Sequence, residues 1–343
     1  MKQTKKMKAY VVDGKQRGRV EEIDIPEPGE YEVLIKVEAA GICGTDAHIY
    51  LGEYFSFYPL VPGHEFSGTV AAVGQKVEQF SVGQRVVSDP NIFCEKCYFC
   101  KQNLQNHCLD FQATGVTRNG AFAQYVAVPE STVFPIKGMD FTQGALIEPL
   151  ACVVYGQERA RPAPGQHVLI LGAGAIGLLH LQLAVHNGAA SVTVVDLNAD
   201  RLKLAKEMGA LHTVLAGREL EKGLGSIQPM GFQLVIDATG IPAVIEEAVR
   251  YVRADGTLLL FGVCPADSRI TLNPYEVFKK DLRIVGSFAL RKTFQQAISL
   301  IESGAVNVAP LIGETVTLPE LPEALERFVH GKTSMKVIVR PGL

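Results

Sequence analysis

The sequence predicts an α/β protein in two parts: a β-rich first lobe, then a doubly wound sheet of parallel strands, with a tail that rejoins the first lobe. Three observations predict it. From Lys8 to about Pro135 the chain is short Val/Ile-rich runs broken by glycine and proline. From about Gly165 the texture changes to strand, glycine turn and helix in repetition, the pattern of βαβ units. The glycine run Gly172-Ala173-Gly174-Ala175-Ile176-Gly177 stands at the first strand-to-helix turn of that second part. The expected domains are residues 1–151 with 288–343, and residues 152–287.

Taken in order, the chain starts with Lys2, Lys5, Lys6 and Lys8, read as a solvated, frayed end. A secretory leader needs an apolar stretch of roughly 7–15 residues after such a start, and Ala9–Val12 is cut short by Asp13-Gly14. Tyr31–Val37 and Ser67–Val73 carry strand alternation, and Val82–Val87 reads as a turn entering a strand. The parallel strands are expected at His167–Leu171, Val192–Asp196, His212–Leu215, Gln233–Asp237, Thr257–Phe261 and Leu282–Val285. Helices are expected over Ile176–His186, Asp200–Met208 and Ala243–Val252. The tail after Gly286 reads as helices near Phe294–Glu302 and Leu321–His330, then a strand at Lys336–Val339.

With 343 residues, 47% of them hydrophobic, the chain can bury two ordinary cores. A net charge of −3 gives no reason to expect nucleic acid or an anionic membrane as partner. No run reaches the ~18–20 apolar residues of a membrane span. A soluble, cytoplasmic protein is expected.

Cys94, Cys97, Cys100 and Cys108 follow Cys-x2-Cys-x2-Cys-x7-Cys spacing, which lets one lobe wrap four thiolates around a single Zn²⁺. The odd total of seven cysteines argues against a disulfide framework. The bacterial iron–sulfur run starts the same way but continues x3-Cys-Pro, which this chain does not. An all-cysteine set is closed, so the expected role is structural.

The glycine run gains weight from its surroundings. It follows the apolar run His167–Leu171 and opens a helix, and Asp196 ends the next strand nineteen residues after Gly177. Gly172 permits the tight turn, Gly174 lets backbone approach a pyrophosphate, and Gly177 lets helix and strand pack closely. Ala175 and Ile176 start the helix whose N-terminus faces the phosphates. A carboxylate at Asp196 accepts ribose hydroxyls and repels a 2′-phosphate, which favours NAD over NADP. Arg201 stands either beside the same ribose or on an exposed helix face.

A second set of metal donors is spread along the first lobe. Cys43 lies in Gly41-Ile42-Cys43-Gly44-Thr45-Asp46, His64-Glu65 follow Gly63, and Glu148-Pro149 stand just before the second part. Any one of these residues can equally be packed core. Together they offer a thiolate, an imidazole and carboxylates, with few enough protein ligands to leave a position open for water or substrate.

These motifs together resemble the medium-chain, zinc-dependent alcohol and polyol dehydrogenases, from Met7 to the end. The resemblance rests on Cys43-Gly44-Thr45-Asp46, Gly63-His64-Glu65-Phe66-Ser67-Gly68, the four-cysteine lobe, Glu148-Pro149-Leu150, and Gly172–Gly177 with Asp196. It implies a GroES-like catalytic domain beside a Rossmann domain, and two Zn²⁺ per chain, one catalytic and one structural. The catalytic ion would take Cys43, His64 and either Glu65 or Glu148. Ethanol-type members have cysteine where this chain has Glu148, and Cys152 does not fill that place, which points to the polyol and threonine branches. Thr45 matches the hydroxyl that accepts the substrate proton, and His48 the residue that passes it toward solvent. The implied chemistry is hydride transfer from a zinc-polarised secondary hydroxyl to the nicotinamide, giving a ketose.

The substrate implied is a small-molecule polyol, with a polyol phosphate or threonine as alternatives. In sorbitol dehydrogenase relatives an arginine follows the motif that here reads Gly286-Ser287-Phe288. This chain has Ala289 there and Arg291 two residues on, which points to a polyol other than sorbitol. Tyr50, Tyr54, Phe55 and Phe57 are either pocket lining or plain packing. Threonine relatives share His48-Ile49-Tyr50 but continue with a tryptophan, and this chain has none. A reading of a different class, a catalytically silent dinucleotide-binding protein, gives no reason for Cys43, Thr45, His64, Glu65 and Glu148 to occur together. The resemblance also implies a homo-oligomer, a tetramer or a dimer, paired through the edge strand near Leu282–Val285.

Overall fold

The computed structural model describes residues 5–54, 56–333 and 335–343. The chain divides into two compact units, one of residues 1–151, 294–302 and 308–343, the other of residues 152–293 and 303–307. The return to the first unit thus falls at Phe294, six residues later than residue 288, where the sequence reading puts it.

The first unit is built on a seven-stranded mixed sheet. Its order runs Ile312–Thr317, Lys336–Arg340, Glu32–Gly41, Glu65–Val73, Arg85–Ser88 and Val133–Pro135, and Tyr125–Pro129 also pairs with Glu32–Gly41. Alternating apolar residues of these strands bury Val33, Ile35, Val37, Phe66, Val70 and Val86 together with Tyr10 and Phe122. The basic start is not frayed from Lys6 onward. Lys6–Gly14 is a strand paired antiparallel with Arg17–Asp24, and Lys6 meets Asp24 at 2.7 Å. Local composition missed this because the partner strand lies beyond a turn. Lys2 lies outside the described residues.

The second unit carries a six-stranded, all-parallel sheet. Its order is His212–Leu215, Ser191–Asp196, His167–Leu171, Phe232–Asp237, Val252–Leu260, Arg283–Gly286, the doubly wound 3-2-1-4-5-6 arrangement. Helices Ala175–His186, Ala199–Glu207, Leu220–Ile227, Pro242–Tyr251 and Pro274–Lys279 form its crossovers and covering elements. The strand expected at Thr257 starts instead at Val252. It carries Asp255 at a left-handed φ of 58°, so the Asp255-Gly256 turn signal marks an irregularity within the strand rather than its start. Helix Leu220–Ile227 went unread because Gly223 and Gly225 weaken it. Burial of Leu224, with Leu220 and Ile227 packed beside it on the same helical face, holds it in place.

Among the described residues no helix is long and apolar enough to cross a membrane.

Candidate active site and metal centres

Strand register assembles the second donor set. Gly41 pairs with Glu65, and Ile338 pairs with Gly41, so three strand ends meet at one end of the sheet. That end carries Ile42-Cys43, His64-Glu65 and Lys336. Cys43, His64 and Glu65 each offer one donor atom, all within 4.8 Å of one another.

Asp46 ties the two ligand segments together. One carboxylate oxygen accepts the Cys43 N–H at 2.9 Å, and the other accepts the Gly63 N–H at 3.1 Å. The second oxygen also lies 3.5 Å from His64 Nδ1, at ion-pair range. A carboxylate behind a ligating imidazole fixes the ring and raises its basicity. Burial opposes a charge on His64, but Asp46 and Cys43 outweigh it and hold its pKa well above the ordinary histidine value.

On the other side Lys336 donates to the Glu65 carboxylate at 2.6 Å and to the Ile42 carbonyl at 3.0 Å. Burial disfavours its charge, yet Glu65, Cys43 and Glu148 push its pKa up to about 12. The buried carboxylates Asp46, Glu65 and Glu148, beside the Cys43 thiol, thus face two basic side chains, His64 and Lys336. Such a donor set fits a divalent cation.

Thr45 and His48 follow Cys43 on one helix. Cys43 is the N-cap of helix Gly44–Leu51, a helix the sequence reading did not foresee. Asp46, Ala47 and Ile49 are its buried side, while Thr45 and His48, one turn apart, keep partial exposure. Glu148 is buried in the first turn of helix Ile147–Ala160, and Cys152 follows one turn later. Of the aromatic candidates, Tyr50 donates to Glu326 at 2.5 Å, and Tyr54 packs beside Ile49 and Leu60. Phe57 is exposed, and Phe55 lies outside the described residues. In the second unit, Ala289 adopts a left-handed φ of 53°, and the Arg291 guanidinium lies over the Tyr155 ring.

The four-cysteine lobe is closed by the pairing of Asn91–Ile92 with Gln112–Ala113. Its four sulfurs lie within 4.8 Å of one another. Backbone N–H groups of Leu109 and Cys100 aimed at Cys97 hold its thiol down to about 6. Burial, with Cys97 and Cys108 beside it, pushes Cys100 up to about 12. Backbone donors converging on close-packed sulfurs are what a thiolate-bound zinc requires, and such an ion would hold these thiols deprotonated.

The glycine run has the backbone geometry that its spacing predicts. Gly172 has a φ of 103°, and a side-chain carbon on Gly177 would lie 1.8 Å from the Gly172 carbonyl oxygen. Beside Gly174 the space is open, which leaves room for a pyrophosphate against the backbone at the start of helix Ala175–His186. Asp196 accepts the Ala173 N–H at 2.7 Å and the Asn198 N–H at 2.8 Å, locking the glycine turn to the next strand. Arg201 sits in the first turn of helix Ala199–Glu207, its N–H donating to the Asn198 cap.

Residues 29–138 match the family described as alcohol dehydrogenase GroES-like domain, and residues 175–303 match zinc-binding dehydrogenase. The chain is 36% identical to D-arabinitol dehydrogenase 1 of Uromyces fabae, over 93% of this chain and 92% of that one. It is 38% identical to D-altritol 5-dehydrogenase of Agrobacterium fabrum, over 92% and 93%. The chain belongs to the zinc-binding, medium-chain alcohol and polyol dehydrogenase family. Two solved structures resemble this dehydrogenase along its length. A Sinorhizobium meliloti protein solved with NADP has a TM-score of 0.92 and 34% identity, covering 98% of this chain and all of that one. An Escherichia coli alcohol dehydrogenase solved with NADH has a TM-score of 0.91 and 30% identity, covering 98% and 99%.

The sequence reading of the dehydrogenase missed Lys336 and gave Asp46 no role of its own. Asp46 had a signal, a carboxylate three residues after Cys43 at a helix start. Lys336 had none, since nothing local connects it with a glutamate 271 residues away.

Proposed function

We propose that this dehydrogenase oxidises a secondary hydroxyl of a polyol to the ketose, with NAD as hydride acceptor. The observation that carries the reading is the convergence of Cys43, His64 and Glu65 beside the helix that presents Thr45 and His48. Relatives named for arabinitol and altritol support the polyol class. A zinc ion supplies a Lewis acid that acidifies the hydroxyl, and the nicotinamide supplies the hydride acceptor. Cys43 and His64, with Glu148 or Glu65, would hold that ion, while the cysteine lobe would hold a second, structural one. Thr45 receives the hydroxyl proton and His48 passes it toward water. Asp196 disfavours a 2′-phosphate, which supports NAD over NADP.

The test is reduced-cofactor formation from NAD and from NADP with tetritols, pentitols, hexitols, their phosphates and threonine, before and after zinc removal. Zinc-dependent turnover of one polyol group with NAD is the expected result. Turnover of phosphates or threonine alone would replace the substrate class. No turnover at all, with two zinc ions bound and NADH binding intact, would sink the reading.

We also propose that the protein is a homo-oligomer. Strand Arg283–Gly286 is an edge of its sheet, and Ile284 within it and Tyr275 and Phe278 on the preceding helix are exposed, Phe278 by 77%. Light scattering should give a multiple of the chain mass, reduced by Ile284→Lys. A monomeric wild type would overturn the proposal.

A further inference from the structure

His48 and Glu53 are joined twice. Glycine 52, at a left-handed φ of 72°, ends helix Gly44–Leu51 and turns the chain back, so that the Glu53 N–H donates to the His48 carbonyl at 2.8 Å. The Glu53 carboxylate then lies 3.0 Å from His48 Nδ1. Its side chain is 46% exposed and that of His48 22%, and an ion pair so open to water adds little to stability. Two other charged side chains lie near this turn. Glu326, on the helix packed against this one, takes the Tyr50 hydroxyl, and the stem of Lys15 lies along Gly52.

An ionised carboxylate has no proton to give, so the hydrogen bond is made when Nδ1 carries one. In the neutral ring that leaves Nε2 as the acceptor. A residue that must take a proton from the Thr45 side of the helix needs that tautomer, because the other offers its lone pair to Glu53.

We propose that Glu53 is a positioning residue of the proton path, holding His48 in its Nδ1–H tautomer and steadying the imidazolium once Nε2 has accepted. Glu53 itself stays ionised, and the proton leaves the imidazolium to water at its exposed edge. The proposal rests on the roles given above to Thr45 and His48.

The test uses zinc-loaded protein labelled with ¹⁵N-histidine, the His48 signals being those absent from His48→Asn. The ¹⁵N shifts should show neutral His48 protonated on Nδ1 in the wild type and in Glu53→Asp. In Glu53→Leu the population should move toward Nε2–H. With the polyol identified by the assay above, Glu53→Leu should lower kcat by about tenfold, with KM, zinc content and thermal stability unchanged. The aspartate variant should recover most of that loss, and in the His48→Asn background Glu53→Leu should cost nothing further. An Nε2–H tautomer in the wild type would overturn the proposal. So would an equal kcat loss in the His48→Asn background, or a loss of zinc or stability in Glu53→Leu. If no polyol is oxidised, the functional reading falls while the ¹⁵N shifts still decide the role of Glu53.

Discussion

Lys336 sets its ammonium 2.6 Å from the Glu65 carboxylate, both groups buried at the strand ends that also carry Cys43 and His64. Lys336 supplies positive charge where three acidic side chains and a thiol gather, and the geometry places Glu65 where it can serve either Lys336 or a metal ion. Removing one partner of a buried pair leaves an uncompensated charge, at a cost of about 3–5 kcal/mol.

Lys336→Met should therefore lower the unfolding free energy by about 3–5 kcal/mol in denaturant titration, and Lys336→Arg by less. The pH dependence follows from the raised pKa. Stability from Lys336 is complete below its ordinary value of 10.5 and is lost as pH rises through about 12. A Lys336→Met/Glu65→Leu variant should lack that alkaline loss. An alkaline limb identical to the wild type would refute the assignment.

Asp46→Asn keeps one acceptor oxygen and replaces the other with a donor that faces the N–H of Cys43 or of Gly63. Zinc affinity at Cys43 and His64 should drop by roughly 10–100-fold in chelator competition, with any zinc held by the four-cysteine lobe retained. Undiminished affinity would mean that Asp46 only caps its helix.

Cys100→Ser should remove one zinc per chain and leave the other. Zinc content should fall by half, the melting temperature should fall, and limited proteolysis should cut between residues 94 and 108. Full zinc occupancy in this variant would show that the lobe does not hold its own ion.

Asp196→Asn removes the negative charge that the proposed function sets against the ribose, while keeping a polar side chain beside the glycine turn. The preference for NAD over NADP, as the ratio of kcat/KM values, should fall by about tenfold. An unchanged ratio would place cofactor choice elsewhere in the second unit.

Features that depend on short spacing are legible in the amino-acid order alone. Four cysteines within fifteen residues, a glycine run between strand and helix, and alternating or helical apolar periods are local patterns, and their physics is complete within a few turns of chain. That order also names Cys43, His64 and Glu65 as candidate ligands, though spacing leaves a packed-core role equally open. The other contacts arise only on folding. The register of three strands brings Lys336 to Glu65, a carboxylate in a helix cap joins Cys43 to Gly63, and a left-handed Gly52 folds Glu53 onto His48. Those contacts depend on which strands pair and where the chain reverses. Pairing is set by the burial of whole sheet faces, which no single residue or short motif encodes.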